Sequence, residues 1–179
     1  MAFGDSLTSG YGLAPGQSFP AQLQAFLRHE GIDARVVNGG VAGDTTEDGR
    51  NRLAWALADH AGYVILELGA NDALRGLNPA QTEANLRAML DMLRRRDVKV
   101  LLAGMKAPGN LGQRYGRAFD GIYPRLARAY PVVYYPFFLA GVAFKPELNQ
   151  KDGIHPNAKG VAVIVRRIAP YVRRLLDRK

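Results

Sequence analysis

No cysteine occurs among the 179 residues of this chain. That absence excludes disulfides, thiolate metal sites and a cysteine nucleophile, and it leaves the compartment open. Histidine occurs only three times, so chemistry that needs an imidazole has few places to reside. No apolar run approaches the roughly 18 residues that a membrane span requires, so stable membrane insertion is not expected. No charged n-region with an apolar h-region precedes the first motif, and no signal peptide is visible. Acids are scarce beside bases, 16 against 24, which leaves a net charge of +8.

That charge sits in clusters at Arg94-Arg95-Arg96, Arg166-Arg167, Arg173-Arg174 and Asp177-Arg178-Lys179. A nucleic-acid partner would also require aromatic interleaving or a binding motif, and neither is present. The clusters fall on the polar sides or ends of expected helices, as solvent-facing residues do, although such charge also draws anionic substrates or surfaces. Hydrophobic residues make up 47% of the chain, enough to exclude disorder. The length suits one domain over residues 1–179.

Apolar runs alternate with amphipathic segments, the pattern of an α/β fold with a parallel sheet. Strands are expected at Ala34–Val37, Tyr63–Leu68, Lys99–Ala103 and Val132–Tyr135. Helices are expected on Phe19, Leu23, Phe26 and Leu27 up to Gly31, and on Leu53, Ala54, Leu57 and Ala58 after the Thr45-Thr46 caps. Others are expected from Pro79 through Leu86, Leu90 and Leu93, on the face of Phe119, Ile122, Tyr123 and Leu126, and from Pro156 through Val172. Pro170 should kink the last helix or disturb its hydrogen bonding. The irregular stretches Met105–Arg117 and Phe138–Gly153 are candidate walls of a substrate site.

Two short motifs near the chain's ends carry the chemistry. Gly4-Asp5-Ser6-Leu7 follows a short strand and precedes a glycine-rich turn, which places Ser6 beyond the carboxyl end of a strand. Only Met1-Ala2-Phe3 precede that turn, so further residues and a leader are expected upstream. Asp152-Gly153-Ile154-His155 offers an imidazole to take the serine proton and a carboxylate to hold its tautomer. His29 and His60 fall at helix ends and suit surface or capping roles. An oxyanion needs donors. The candidates are the Ser6 N–H, the N–H of Gly43 in the Gly39–Thr45 loop, and the Asn71 side chain at the end of the strongest strand. Taken singly, Ser6 is equally a cap, Gly43 a turn glycine and Asn71 an Asx turn with Asp72.

Four blocks stand in one order: Gly4-Asp5-Ser6-Leu7, Gly43-Asp44-Thr45, Gly69-x-Asn71-Asp72 and Asp152-x-x-His155. In this the chain resembles the SGNH hydrolases, the GDSL-type esterases and lipases, over nearly its whole length. Within them it is most similar to the branch of bacterial multifunctional thioesterase I/protease I/lysophospholipase L1 and related arylesterases, through Glu67–Gly76, Pro79–Leu86, Pro136-Phe137-Phe138 and Asp152–Asn157. The resemblance implies a flavodoxin-like α/β/α sandwich of about five parallel strands, with no metal and no cofactor. It implies Ser6 as nucleophile, His155 as base and then acid, Asp152 as its orienter, and Ser6, Gly43 and Asn71 as the oxyanion hole. It also places the loops of Leu74-Arg75-Gly76 and Ala107–Gly112 at the acyl site, with Leu74, Arg75, Pro108 and Asn110 as substrate-binding residues. A periplasmic or secreted location follows from the same resemblance.

The expected reaction is hydrolysis of short- to medium-chain aryl or alkyl esters, extending to thioesters or lysophospholipids. Two alternatives stand beside it: an O-acetyl esterase for carbohydrate or cell wall, and a noncatalytic module holding an anionic ligand on the basic surface. The dinucleotide glycine fingerprint that would favour the module is missing, since Gly39-Gly40-x-x-Gly43 does not fit it.

Overall fold

The computed structural model describes residues 1–57 and 61–177. The helix end expected at Ala58, His60, and the Arg178-Lys179 end of the basic cluster lie outside the described residues.

Five strands form one parallel sheet: β1 (Ala2–Gly4), β2 (Asn38–Gly40), β3 (Tyr63–Glu67), β4 (Lys99–Ala103) and β5 (Val133–Tyr135). Their order is β2-β1-β3-β4-β5. The central strands β3 and β4 are buried at every position after the first, as an apolar run covered on both faces must be. Helix α2 (Phe19–His29) packs against α8 (Ala158–Leu176), and α3 (Thr46–Ala56) against α5 (Pro79–Arg95). Helix α5 also meets α6 (Gly112–Asp120) and α7 (Ile122–Ala129). The result is the three-layer α/β/α sandwich expected of the sequence. Single helical turns, α1 (Ser6–Ser9) and α4 (Ala70–Leu74), follow β1 and β3 directly.

The order places β2 on one side of β1 and β3 on the other, so successive connections leave β1 in opposite directions. The crevice at such a switch point lies beyond the carboxyl ends of the strands, and here it opens between β1 and β3.

Three sequence expectations change. The strand expected at Ala34–Val37 lies instead at Asn38–Gly40, where Ala2, Phe3 and Gly4 stand opposite. The Val36 N–H is taken by the Gln24 side chain at 2.9 Å rather than by a ladder. The single apolar face of Phe119 to Leu126 is divided between α6 and α7, although all four residues are buried. The division falls at Gly121, and Pro124, in the first turn of α7, has no N–H to offer the Asp120 carbonyl, a position at which proline is tolerated. Helix α8 begins at Ala158, capped by Asn157 Oδ1 on the N–H groups of Lys159 and Gly160, and it continues through Pro170. Pro170 is exposed, so the Arg166 carbonyl it leaves unbonded is on the solvent side of the helix.

The core between α2 and the chain after β5 is closed by Phe19 and Phe138, both fully buried and in edge-to-face contact at 5.0 Å. Phe138→Ala should lower the unfolding free energy by about 3–5 kcal/mol. Urea titration would measure it, and a loss under about 1 kcal/mol would mean that the site collapses around the gap.

Candidate active site

Each sequence-predicted group stands just past the carboxyl end of a strand or on the loop before α8. Ser6 opens α1 after β1, and Asp5 caps that turn by accepting the Leu7 N–H on Oδ1 at 2.9 Å. The Ser6 N–H, first in the turn, has no intrahelical acceptor. His155 Nε2 lies 2.9 Å from Ser6 Oγ, and His155 Nδ1 lies 2.7 Å from Asp152 Oδ2. These three residues, 149 positions apart at the extremes, thus make one continuous hydrogen-bonded chain.

The local fold of Asp152–His155 explains why the spacing works. Asp152 Oδ1 accepts the backbone N–H of Ile154 at 2.9 Å and of His155 at 3.0 Å, while Gly153 turns the chain at φ +71°. One carboxylate oxygen shapes the turn and the other meets the imidazole. The Tyr11 ring packs on His155 with centroids 4.9 Å apart. Burial alone would raise the Asp152 carboxyl, but those two N–H groups and the imidazole overcome it and bring it down to about 2.

Gly43, at φ +88°, lies in the loop after β2, and Asn71 lies in α4 just after β3. Among the described residues the Gly43 N–H has no acceptor. Its carbonyl is held by Arg75 Nη2 at 2.8 Å. Asn71 Nδ2 donates to the Asp44 carbonyl at 2.9 Å and to Asp5 Oδ2 at 3.2 Å, rather than closing an Asx turn with Asp72. Asp72 turns inward instead. It accepts from the Thr46 N–H and hydroxyl at 2.8 and 2.6 Å and from the Thr82 hydroxyl at 3.0 Å, and so ties α4 to α3 and α5.

Three groups were missed by the sequence reading. Arg52 donates to the carbonyls of Gly4 and Gly39 and to Asp44, and lies over the Phe3 ring at 4.0 Å. Asp5 is fully buried, and burial pushes its carboxyl up against the opposing pull of the Leu7 N–H and of His155. Glu67, at the end of β3, is also fully buried, and burial followed by the nearby Asp5 charge pushes it well above the usual carboxylate range. Its Oε2 meets the Thr8 hydroxyl at 2.7 Å, and among the described residues its Oε1 has no hydrogen-bond partner. A charged acid at the end of an otherwise apolar strand was the signal for Glu67. No pattern in the sequence pointed to Arg52.

Ser6, Asn71 and His155 open into a cavity of about 530 Å³. Met105, Pro108, Phe137 and Leu139 form its apolar wall, and Leu74, Phe144 and Ile154 stand with them along it. Of the four residues expected to bind substrate, Leu74 and Pro108 line the cavity; Arg75 and Asn110 do not. Asn110 is exposed on a 3₁₀ turn, Gly109–Leu111, outside that lining, and Arg75 is engaged with Gly43. Both irregular stretches named from the sequence contribute walls. Among the described residues no group of three His, Asp or Glu side chains is placed to hold a metal. No described helix is long and apolar enough to cross a membrane.

Residues 2–163 match the model of the GDSL-like lipase/acylhydrolase family. The chain is 38% identical over 178 residues to the thioesterase 1/protease 1/lysophospholipase L1 of Escherichia coli strain K12, covering 99% of this chain and 84% of that protein. It is 40% identical over 177 residues to the esterase TesA of Pseudomonas aeruginosa, covering 98% of this chain and 88% of that one. Among solved structures it superposes on AlinE4, an SGNH-hydrolase family esterase, with a TM-score of 0.82 at 50% identity, covering 98% of this chain and 94% of the other.

The depressed Asp152 carboxyl has a consequence for acid stability. Its folded value of about 2 lies below the ordinary 3.8, so its contribution is present above pH 3.8 and is lost as pH falls toward 2. The effect is small, because the side chain is 38% exposed. In an acid titration followed by circular dichroism, Asp152→Asn should be less stable than the parent above pH 3.8 and converge with it near pH 2. A gap that stays constant down to pH 2 would show that the carboxylate charge is not the cause.

Proposed function

Because the chain belongs to the GDSL-like lipase/acylhydrolase family, and is by that membership a carboxylic ester hydrolase, we propose that it cleaves short- to medium-chain aryl and alkyl esters, and acyl thioesters or lysophospholipids, through an acyl-enzyme on Ser6. The observation that carries this reading is the continuous chain Asp152–His155–Ser6, with contacts of 2.7 and 2.9 Å.

His155 Nε2 takes the Ser6 proton as Oγ attacks the carbonyl carbon, and Asp152 holds Nδ1–H and steadies the imidazolium. The carbonyl oxygen gains negative charge and is met by the N–H groups of Ser6 and Gly43 and by Asn71 Nδ2. Both Asn71 hydrogens already have acceptors, at 2.9 Å on Asp44 and 3.2 Å on Asp5. The longer one is the contact an oxyanion would replace. His155 then passes its proton to the departing alcohol or thiol. Water attacks the acyl-enzyme in a second round of the same steps and releases the acid. The apolar wall of Met105, Pro108, Phe137 and Leu139 suits an acyl chain rather than sugar hydroxyls.

Hydrolysis of p-nitrophenyl butyrate by the parent chain should vanish in Ser6→Ala, and equal rates would remove Ser6 from the mechanism. Asn71→Ala should lower kcat by about 10²–10³-fold with the fold intact. Full turnover in that variant would strike Asn71 from the oxyanion hole. A folded parent that spares aryl esters and cleaves only acetylated sugars would replace the substrate assignment with a deacetylase.

A further inference from the structure

The large apolar side chains that this molecule leaves in solvent are not scattered. Among the described residues they are Tyr11, Val41, Trp55, Leu74, Leu77, Phe144 and Ile154. All but Trp55 stand on the segments that leave the carboxyl ends of strands: Tyr11 after β1, Val41 after β2, Leu74 and Leu77 after β3, Phe144 and Ile154 after β5. Single exposed apolar residues are ordinary, but their gathering on one edge is not. Leu74, Phe144 and Ile154 line the same cavity as Ser6.

Phe144 is the extreme case. It is 94% exposed and holds φ +62°, a left-handed conformation that bulky L residues rarely adopt. The backbone on either side is pinned. Asn149 Nδ2 donates to the Val142 carbonyl at 2.9 Å and to the Lys145 carbonyl at 2.8 Å, and the Lys145 N–H returns to Val142 at 3.2 Å. Val142 itself is fully buried. The loop therefore holds an aromatic ring out in water by internal hydrogen bonds.

Cations accompany the apolar edge. Arg75 follows Leu74, Lys145 follows Phe144, Lys151 precedes Ile154 by three positions, and Lys106 lines the cavity; all four are exposed. The exposed acids beside them are fewer, three against four: Asp152, which holds His155, Asp120, which accepts the Ala107 N–H, and Glu147. A second copy presenting this face would bring like charges together. A sheet of anionic headgroups over an apolar interior matches both features, with the rings and branched chains entering the acyl boundary and the cations remaining among the phosphates.

We propose that the edge carrying Leu74, Phe144 and Ile154, ringed by Arg75, Lys106, Lys145 and Lys151, adsorbs to anionic phospholipid surfaces and presents the cavity mouth to them. This does not depend on the reaction assigned to Ser6. Vesicles of ether-linked phospholipid, which contain no ester to cleave, test it by co-sedimentation. Binding is expected to vesicles containing phosphatidylglycerol, to weaken with added salt, and to be poor with phosphatidylcholine alone. Phe144→Ser with Ile154→Ser should lower affinity about tenfold or more, whereas Arg166→Glu with Arg174→Glu on α8 should change it little. Trp55, the sole tryptophan, lies at the far end of α3 and serves as a reference. Its emission should stay constant on adding vesicles, while a Phe144→Trp variant should show a blue shift. No binding, equal binding without anionic lipid, retention in the Phe144/Ile154 variant, loss in the α8 variant, or an unshifted Phe144→Trp emission would each overturn the proposal.

Discussion

One guanidinium ties together the edge of the sheet on which the site is built. Arg52 reaches from α3 to accept no bond and give three: to the Gly4 carbonyl at the end of β1, to the Gly39 carbonyl in β2, and to the Asp44 carboxylate in the loop between β2 and α3. The strands it joins are only three residues long. So few ladder bonds would leave their ends free to splay, and the loops after them carry Ser6 and Gly43. The guanidinium is flat, always charged and able to donate in several directions at once, which no lysine could imitate here. Its plane rests on Phe3, so the same residue that satisfies the strand ends also covers core.

From that edge inward, polar groups are buried in layers. Asp72 draws α3, α4 and α5 together through two threonines. Asp5 holds the first turn after β1 and touches the Asn71 amide. Glu67 lies beneath them against Thr8. Each is a group whose burial is costly unless a donor meets it, and each fixes a loop that would otherwise be free. The site is therefore rigid on the side of β1 and β3, while its outer wall is built from the longer stretches after β4 and β5.

Much of the fold and site could be read from residue order. The apolar runs of β3 and β4 were legible because both faces are covered, and the four motif blocks named residues that the structure brings within hydrogen-bonding distance of one another. Other features were hidden for physical reasons. The Ala34–Val37 segment has the composition of a strand, but pairing depends on what stands opposite, which no local window contains. Gly121, with Pro124 in the helical turn after it, marked a division that apolar spacing passed over. Asn110 looked like a site residue by its loop, yet it stands on an exposed 3₁₀ turn outside the cavity lining. Arg52 and Asp72 act across long separations in sequence, and such contacts leave no periodic trace.

Burial of Glu67 ties the folding of this molecule to the protonation of a carboxyl group. Burial first, and the nearby Asp5 charge second, shift that carboxyl toward its neutral form relative to the unfolded chain. Stability that rests on the neutral acid is complete below the ordinary value of 4.5 and drains away as pH climbs through the raised folded value. A residue placed where the first and third strands meet thus couples the assembly of the sheet to the proton activity of the surrounding water, from its centre rather than from its surface.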